Sequence, residues 1–448
     1  MNTEKPPLPR GLAALIAALA AVTWGGEYAR AADSTTSART APRPVLSRAE
    51  VLATAPEVLE RIGRHLVIGY HSFAAVKALV EKRAITGIFI TDHNVSKRQI
   101  SEVRADIDAL QAIRAQQGLP PLLVAADQEG GAVSRLSPPL ARQPGLSRVI
   151  AGRKSGEDLQ SLVTAYAQKQ AGELKRIGVN LNFSPVVDLK IEPARRSDGE
   201  TQLRYRALSS DSATVGDVAG WYCDALAVEG IYCTIKHFPG LGRVALDTHR
   251  HPGEIKATAA ELSATDWVPF RRLMGRPNVV TMLAHVRLTA IDPGEPASLN
   301  QRIIDGLIRK EWKHDGLLIT DYLSMGAVTR GKGGVGNAAV KALNAGADLL
   351  LVSFSDRYLD TIMTALIEAD LNGGLDAKAR TASLERLQRR PPRAPADGKA
   401  RHGAVSGACG GRRSSGRAII LNASGGSTTS TARDFRAPIL RTDAASPS

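Results

Sequence analysis

Residues 317–328 read LLITDYLSMGAV. The first four are apolar or β-branched and predict a buried strand that ends at Thr320, while the residues after Asp321 have helical character. Asp321 is therefore predicted to lie where a buried strand gives way to an exposed loop. An aspartate at such a point is either a helix N-cap or a functional carboxylate, so the rest of the chain is needed to choose between the two.

Short apolar runs of this kind recur along the chain. Eight of them occupy residues 65–70, 87–91, 122–127, 179–187, 232–237, 279–285, 317–321 and 348–353. Between them lie segments with helical spacing of apolar residues, one from Ile100 that stops at Gly118 and one from Leu159 that ends at Gly178. This alternation predicts an α/β fold, a (β/α)₈ TIM-type barrel in a single domain. The alternative is a doubly wound sheet, but no Gly-x-Gly-x-x-Gly follows the first strand.

Polar clusters follow several of these predicted strands. DQEGG occupies residues 127–131, KHFPG residues 236–240 and DTH residues 247–249. In a barrel the carboxyl ends of all strands meet at one mouth, where such enzymes keep their reacting groups. Because Asp321 and these polar clusters all follow predicted strands, they are expected at the same mouth of the barrel. This favours a functional role for Asp321 over a helix cap.

The N-terminus has the pattern of an export signal. Cations precede an apolar stretch at residues 11–24, and Ala-Arg-Ala at 29–31 offers a small-x-small cleavage site. The apolar stretch is too short to span a bilayer comfortably, so we expect a signal peptide at residues 1–31 rather than a transmembrane anchor. A Ser/Thr/Pro-rich linker is predicted at residues 32–47, and the mature protein is expected to be periplasmic or secreted.

The net charge of +14 is concentrated at the C-terminus. From Asp376 onward there are 14 Lys/Arg and 5 Asp/Glu, so about +9 belongs to this segment. Residues 388–448 contain few large apolar side chains and repeated Pro, Gly and Arg, which predicts a disordered basic tail after a barrel domain at 48–387. One short strand is expected at 418–421. Because the basic charge lies in a tail, it does not indicate a nucleic-acid-binding surface.

The chain contains three cysteines, Cys223, Cys233 and Cys409. They show no metal-ligand spacing and form no disulfide framework. Cys223 and Cys233 can pair in an oxidising compartment, but the preferred expectation is two buried thiols and a third in the tail.

Six motifs, in this order and at these separations, resemble those of glycoside hydrolase family 3. They are DQEGG…SRL, NFSPVVDL, KHFPG, ALDTH, MLAHV…PASLN and ITDYLSMGAV. The resemblance covers roughly residues 50 to 375 and is strongest to the single-barrel NagZ-type β-N-acetylhexosaminidases. Each motif alone is weak, but six ordered motifs are specific.

The resemblance implies roles at the matching positions. Asp321 matches the aspartate that attacks the anomeric carbon and forms a covalent glycosyl-enzyme. Asp247 and His249 match an Asp-x-His dyad in which the histidine is general acid and then general base. The positions that match sugar-hydroxyl ligands are Asp127, Arg135, Arg206, Lys236 and His237. No metal or cofactor is implied.

Elementary chemistry agrees with these roles. Cleavage with retention needs a carboxylate beneath the anomeric carbon and a proton donor beside the leaving oxygen. A histidine can give a proton and take one back near neutral pH, and Asp247 can hold its tautomer. A second family domain that supplies the acid in other members has no counterpart in a low-complexity tail, so the acid is expected from the barrel loop.

Simpler explanations exist for several of these residues. His237 can be a packing histidine, and His285 either lines the pocket or supports it. Asp188 can brace loops, and Asp348 can cap the last strand. The loop residue Arg243 is expected to be solvated.

The resemblance implies a retaining exo-β-N-acetylglucosaminidase acting on muropeptides or related oligosaccharides. Within enzymes, the alternatives are a β-glucosidase or a glycoside phosphorylase, since a neutral histidine tolerates an incoming phosphate better than a glutamate does. From another class, the alternative is a non-catalytic cell-wall sugar-binding protein whose tail contacts anionic envelope polymers. The basic tail and two substituted loop positions motivate it, since Leu241 and Arg243 stand where His and Asp are usual. A further departure from the family pattern is Tyr322, which replaces a second aspartate.

Overall fold

The predicted apolar runs form parallel strands, and their side chains are buried on both faces of the sheet. Burial on both faces explains why the runs are apolar throughout rather than alternating. The structure is a computed structural model and describes residues 44–191, 201–244, 247–331 and 333–389. The strands are β1 Leu66–Gly69, β2 Gly87–Ile90, β3 Leu123–Ala126, β4 Leu181–Asn182, β5 Tyr232–Phe238, β6 Val279–Leu283, β7 Leu317–Thr320 and β8 Leu350–Val352. All eight lie in a single sheet.

Each strand pairs with its neighbour in the chain, as a barrel requires. Strands β1 to β7 follow one another in the sheet, and β1 also pairs with β8. A parallel bridge between Ile319 and Leu349 connects β7 to the start of β8 and closes the ring. The (β/α)₈ prediction is therefore confirmed, and the doubly wound alternative is wrong.

Helices connect the strands and cover the barrel. The main helices are α1 Phe73–Glu81, α2 Ile100–Gln116, α3 Leu159–Ile177, α4 Ser212–Val228, α5 Trp267–Leu273, the π-type helix α6 Arg302–Glu311, α7 Gly334–Ala345, α8 Asp356–Leu371 and α9 Ala377–Arg389. Shorter helical segments are Arg48–Leu52, Pro56–Gly63, Asp92–Val95, Leu146–Ala151, Leu203–Arg206, Leu241–Arg243, Ala259–Ala264, Ala297–Leu299 and Gly326–Thr329. Loop strands are Gln128–Gly130, Val133–Ser134, Gly253–Ile255, Val286–Leu288 and Asp292–Pro296.

The helix ends follow from the sequence. Helix α3 begins after Asp158, whose side chain accepts the Ser161 N–H, and ends at Gly178 with φ of 96°. A left-handed residue at this point favours glycine because it has no Cβ. The predicted stop signals at Gly118 and Gly178 are thus confirmed.

The fourth strand is much shorter than predicted. Only Leu181–Asn182 joins the sheet ladder, and Val186 returns to it through a single bridge to Lys236. Pro185 in between has no N–H to donate to a neighbouring strand. The apolar run at 179–187 therefore contains a short strand followed by a loop that approaches the barrel mouth.

Two apolar cores hold the fold together. One fills the barrel interior, with side chains such as Phe89, Phe183 and Met282. The larger one lies between the strands and the surrounding helices. Because the interior is filled with side chains, the reacting groups can stand only at its two ends.

The two cysteines of the barrel form a disulfide, so the preferred expectation of two free thiols is wrong. Cys223 in α4 and Cys233 in β5 are bonded, with 5.4 Å between their Cα atoms. Helix α4 packs directly on β5 and places both side chains in the core, within the separation that a disulfide spans. This pairing is typical of proteins from an oxidising compartment.

The N-terminal end of the barrel is closed by α9. Leu387 packs against the interior core, and Arg386 donates to Asp348 Oδ1 at 2.8 Å. Asp348 Oδ2 accepts from Arg309 at 2.7 Å and from the Leu318 N–H at 2.8 Å. Asp348 therefore does more than cap the last strand, because it connects α6, α9 and β7 beneath the barrel.

Several predictions concern residues outside the described ranges. These are the signal peptide at 1–31, most of the linker at 32–47, and nearly all of the tail at 388–448 with its short strand. Helix α9 itself continues to Arg389. Within the described ranges, no helix combines the length and hydropathy that crossing a bilayer requires.

Candidate active site

A cavity of about 540 Å³ opens at the carboxyl ends of the strands. Seven of the eight predicted site residues line it: Asp127, Arg135, Arg206, Lys236, His237, His249 and Asp321. The eighth, Asp247, contacts His249 from behind. The fold thus brings together residues that are up to 194 positions apart in the sequence, as the positions of Asp127 and Asp321 show.

Asp321 stands directly after β7 and is 7% exposed. Its N–H donates to the Leu283 carbonyl at 2.9 Å, which extends the β6–β7 pairing to the mouth. Its Oδ1 accepts the Tyr322 N–H at 2.8 Å. The backbone therefore fixes both the position and the orientation of this carboxylate.

The surroundings of Asp321 favour its ionised form. Burial by itself would raise the pKa of the carboxyl. The rings of His237, His285 and His249 and the Tyr322 N–H outweigh burial and hold the pKa below the usual range of an aspartate. Asp321 is consequently a carboxylate at any pH near neutrality.

His249 and Asp247 form a hydrogen-bonded pair at the cavity rim. Asp247 Oδ1 lies 2.9 Å from His249 Nδ1 and accepts the His249 N–H at 3.0 Å. Thr201 Oγ1 donates to the same oxygen at 2.9 Å. Since Nδ1 faces Asp247, Nε2 is the nitrogen available to a molecule in the cavity.

The loop that contains Asp247 and His249 is hydrogen-bonded to the loop that follows Asp321. The Gly326 N–H donates to the His249 carbonyl at 2.9 Å. A Cβ at Gly326 would lie 2.9 Å from the same oxygen and 2.8 Å from the Arg250 carbonyl. Only glycine permits such a short distance between the two loops. The segment of residues 324–326 after Asp321 therefore also positions His249.

A charged network lines the same cavity. Lys236 Nζ contacts Asp127 Oδ1 at 2.7 Å and Glu129 Oε1 at 2.6 Å. Arg206 holds Glu129 with two parallel bonds of 2.9 and 2.7 Å. Its third nitrogen, Nη1, donates to the Thr201 carbonyl at 2.7 Å. Arg206 therefore lines the cavity and also fixes the position of the Glu129 carboxylate.

Each charge in this network stabilises its partners. Burial would raise the pKa of Glu129, but Arg206 and Lys236 reverse this and lower the pKa to about 2. Burial would lower the pKa of Lys236, but Asp127 and Glu129 outweigh it and raise the pKa. Glu129 and Lys236 are thus charged at neutral pH. The sequence reasoning did not assign Glu129 a role, although its position two residues after Asp127 places both on one face of an extended segment.

His237 is held from behind by a buried carboxylate. Asp188 Oδ2 lies 2.7 Å from His237 Nδ1, and Asp188 Oδ1 accepts the N–H groups of His237 and Leu241. Burial would raise the pKa of Asp188, but His237 and these N–H groups hold it below its usual value. The prediction that Asp188 braces loops is confirmed, and His237 is a cavity residue rather than a packing one.

His285 supports the site without lining the cavity. Its Nε2 lies 3.0 Å from the Tyr322 carbonyl and its Nδ1 lies 2.6 Å from Ser298 Oγ. A neutral ring satisfies both contacts when Nε2 donates and Nδ1 accepts. Burial lowers the pKa of His285 and favours this neutral form. Of the two expectations for His285, structural support is the correct one.

The comparisons with known proteins agree with this geometry. The family profile described as the glycosyl hydrolase family 3 N terminal domain matches residues 58–389. The chain belongs to glycosyl hydrolase family 3. It is a glycoside hydrolase by fold and by family.

Relatives in family 3 are similar over most of the chain. The beta-hexosaminidase LpqI of Mycobacterium tuberculosis is 29% identical over 395 residues, which are 85% of this chain and 96% of the relative. A beta-hexosaminidase of Pseudomonas aeruginosa strain PAO1 is 32% identical over 311 residues, 69% of this chain and 81% of the relative. The chain thus spans most of the length of both.

Solved family 3 structures have the same architecture. A beta-N-acetylglucosaminidase from Paenibacillus sp. str. FPU-7 superposes with a TM-score of 0.68 at 29% identity, over 77% of this chain and 64% of that one. M. tuberculosis LpqI superposes with a TM-score of 0.65 at 28% identity, over 79% and 98%. The chain therefore covers nearly all of LpqI but less than two thirds of the Paenibacillus structure.

The residues that depart from the family 3 pattern, Tyr322, Arg243 and Leu241, all form defined contacts within the protein. Tyr322 donates its hydroxyl to Asp127 Oδ2 at 2.8 Å. Burial raises the pKa of Tyr322 well above its usual value, and the Asp127 and Asp321 carboxylates raise it further, so the hydroxyl stays a donor. Tyr322 is thus a second cavity residue without an assigned role in the sequence reasoning.

The loop departures are structural. Arg243 donates to Asp266 Oδ2 at 2.7 Å, a carboxylate that is fully buried. Leu241 lies in the apolar core. Arg243 is exposed to solvent, as expected, and it also connects the loop after β5 to the segment before α5.

The described residues offer no evident place for a metal ion. Among them, no three His, Cys, Asp or Glu side chains converge as a group of metal ligands. Most carboxylates of the cavity are instead held by protein cations and hydrogen-bond donors.

Proposed function

We propose that this chain is an exported, retaining exo-β-N-acetylglucosaminidase that acts on peptidoglycan fragments without a cofactor. Asp321 is the nucleophile, and His249 with Asp247 is the acid/base pair. The observation that carries this proposal is that an ionised Asp321 and a carboxylate-held His249 line one cavity of about 540 Å³. The preference for an N-acetylated sugar rests on the similarity to enzymes described as beta-hexosaminidases.

The first step follows from the two groups. Asp321 uses its free oxygen, Oδ2, to attack the anomeric carbon, since Oδ1 accepts the Tyr322 N–H. The bond from that carbon to the leaving oxygen breaks, and the oxygen takes a proton from His249 Nε2. The products are a glycosyl-Asp321 ester, a neutral imidazole and the released aglycone.

The second step reverses the roles. His249 Nε2 takes a proton from water, the water oxygen bonds to the anomeric carbon, and Asp321 leaves as a carboxylate. Asp247 stabilises the imidazolium that forms and fixes its tautomer. The low pKa of Asp321 makes it a good leaving group in this step.

The charged network holds the terminal sugar. Asp127 uses one lone pair on each oxygen for Lys236 and Tyr322 and keeps its remaining lone pairs for sugar hydroxyls. Arg135 and His237 face the cavity beside it. Arg206 contributes mainly by orienting Glu129, since three of its nitrogens are already bonded within the protein.

Substrate kinetics test the proposed activity. We expect turnover of 4-nitrophenyl β-N-acetylglucosaminide to exceed that of the β-glucoside, with the β-anomer of the sugar appearing first in NMR spectra. First release of the α-anomer would contradict retention. Phosphate-dependent formation of sugar 1-phosphate would decide for a phosphorylase. Binding of N-acetylglucosamine without more turnover than Asp321→Ala would decide for a non-catalytic sugar-binding protein.

Mass spectrometry tests the covalent intermediate. In His249→Ala, the ester forms from an activated substrate but is hydrolysed slowly, because no base activates water. We expect a protein species heavier by one N-acetylhexosamine residue, with the label on the peptide that contains Asp321. A label on another peptide would transfer the nucleophile role to that residue.

Export and the tail need separate experiments. N-terminal sequencing of protein from the envelope fraction should begin at Ala32. Removal of residues 390–448 should weaken retention on anionic envelope polymers, and added salt should have the same effect on the full chain. Retention that is insensitive to both would reject the role of the tail.

A further inference from the structure

A second cavity lies at the opposite end of the barrel, before the first residues of the strands. It has a volume of about 150 Å³. Its apolar wall includes Ile85, Leu119, Leu123, Leu317, Leu384 and Leu387. The last two belong to α9, so this cavity lies between the amino-terminal end of the barrel and α9.

Arg114 is a buried cation in this apolar wall. It lies in the last turn of α2 and is 5% exposed. Its Nε donates to the Pro120 carbonyl at 3.2 Å. Among residues 44–191, 201–244, 247–331 and 333–389, no carboxylate forms an ion pair with it. A guanidinium has five N–H donors, so most of its hydrogen-bonding capacity remains for a molecule in the cavity.

The neighbouring charges do not neutralise Arg114. Glu60 is the carboxylate that lines the cavity, and its two oxygens are bonded to Arg64 at 2.6 Å and Arg83 at 2.8 Å. Burial lowers the pKa of Arg114 to about 10, which leaves it charged at neutral pH. The wall therefore carries three cations and one carboxylate. Because an unpaired buried charge is costly, an anion that enters the cavity is favoured.

We propose that this cavity binds a small carboxylate with a compact apolar body. The carboxylate forms a bidentate pair with Arg114, and the body fills the leucine-lined space. A cavity of about 150 Å³ holds a molecule the size of benzene, so an aromatic or branched carboxylate matches the volume. Phosphate matches less well, because its higher charge has no second buried cation to face.

Such a ligand connects elements that are distant in sequence. Arg114 belongs to α2, while Leu384 and Leu387 belong to α9. A bound carboxylate contacts both and stabilises the attachment of α9 to the barrel. Since it binds the folded chain, it raises the apparent stability in proportion to the logarithm of its concentration.

Benzoate is the probe for this site, and benzyl alcohol is its uncharged counterpart. We expect calorimetric binding of benzoate to the full chain and a rise in melting temperature that grows with benzoate concentration. Benzyl alcohol should produce neither. No binding of benzoate, or an equal response to benzyl alcohol, would overturn the proposal.

Matched variants locate the site. Arg114→Met preserves the side-chain volume and should weaken benzoate binding roughly tenfold to a hundredfold, as expected for the loss of a charge-assisted pair. Leu384→Phe keeps Arg114 but fills the cavity, and should weaken binding as well. The control is Arg104→Met on the same helix, where the arginine pairs with Asp108 instead. Benzoate binding that persists in both Arg114→Met and Leu384→Phe would place the ligand elsewhere and reject the site.

Discussion

Each end of the barrel contains a carboxylate that is paired with two cations, but only one of the two carboxylates lies beside an open cavity. At the carboxyl end, Glu129 is held by Arg206 and Lys236 beside an open cavity. At the amino end, Asp348 is held by Arg309 and Arg386 and is completely buried. Glu129 and Asp348 are each paired with two cations, so the charges that contact them do not distinguish their roles.

What distinguishes the clusters is access from solvent. Arg386 comes from α9, which covers the lower cluster, so Asp348 serves cohesion. At the upper end, loops surround the cluster but leave a cavity in front of it. A buried ion pair is weak support for net stability, yet removal of one partner is strongly destabilising. The comparison predicts that only substitutions at the upper end change turnover, whereas removal of a paired, buried carboxylate lowers stability at either end.

Removal of the proposed nucleophile should have the largest effect at the upper end of the barrel. Asp321→Asn keeps the size of the side chain but removes the charge that attacks the anomeric carbon in the proposed mechanism. We expect kcat for the nitrophenyl substrate to fall roughly 10⁴-fold or more, while the protein remains folded at the assay temperature. Asp92→Asn, at the same rim, is the control and should retain most of its turnover. Turnover by folded Asp321→Asn close to that of the wild type would contradict the proposed role of Asp321.

His249→Ala should reveal proton transfer through the leaving group. For an N-acetylglucosamine disaccharide, whose leaving oxygen needs a proton, we expect kcat/KM to fall by roughly 10² to 10⁴. For the nitrophenyl substrate, whose leaving group needs little protonation, kcat/KM should fall far less. His251→Ala, on the same loop, should affect neither. Equal losses for both substrates would contradict the acid role.

Asp348→Asn should have the largest effect below. Burial would raise the pKa of Asp348, but Arg309 and Arg386 hold it below its usual value. Without the charge, two buried guanidinium groups lose their counter-ion, and we expect the free energy of unfolding to fall by about 3 to 5 kcal/mol. Denaturant unfolding measures this loss, and kcat/KM of the folded fraction should be unchanged. Asp108→Asn, which breaks an exposed pair, is the control with an expected loss under about 1 kcal/mol.

Glu129 gives the upper cluster a pH signature. Its pKa falls from 4.5 to about 2 on folding. A lowered folded-state pKa stabilises the fold above the unfolded pKa, so this contribution is complete at neutral pH and is lost as the pH falls from 4.5 towards 2. Its size is on the order of 3 kcal/mol. The stability difference between the wild type and Glu129→Gln, measured by denaturant unfolding at pH 7, 4 and 3, should shrink in that order. A constant difference would show that Glu129 is protonated or unpaired in the fold.

Tyr322→Phe should have the smallest effect and isolates the hydroxyl. Without the hydrogen bond from Tyr322, the Asp127 carboxylate loses one of the contacts that orient it in the cavity, where it is proposed to bind the sugar. We expect kcat/KM to fall roughly tenfold, as for one bond to a charged acceptor, mainly through KM. Tyr358→Phe, in α8, is the control and should not change kinetics. An unchanged KM would show that Tyr322 fills space only.

Local patterns predicted much of this protein. The apolar runs predicted all eight strands, and Gly178 predicted the end of α3, because strand and helix periodicity and left-handed backbone are properties of short segments. The position of Asp321 after a strand placed it at the barrel mouth for the same reason. Ordered motifs added the family, which the comparisons confirm.

Long-range contacts determined the rest. The sequence could not show that Cys223 pairs with Cys233, that Arg243 reaches Asp266, or that Tyr322 donates to Asp127, since each contact depends on how separate elements pack. The same holds for Asp348 and Glu129, which are both carboxylates paired with two cations. Only the closed barrel decides which of them faces a cavity and which is covered by α9, because burial is a property of the whole packed chain and not of any segment.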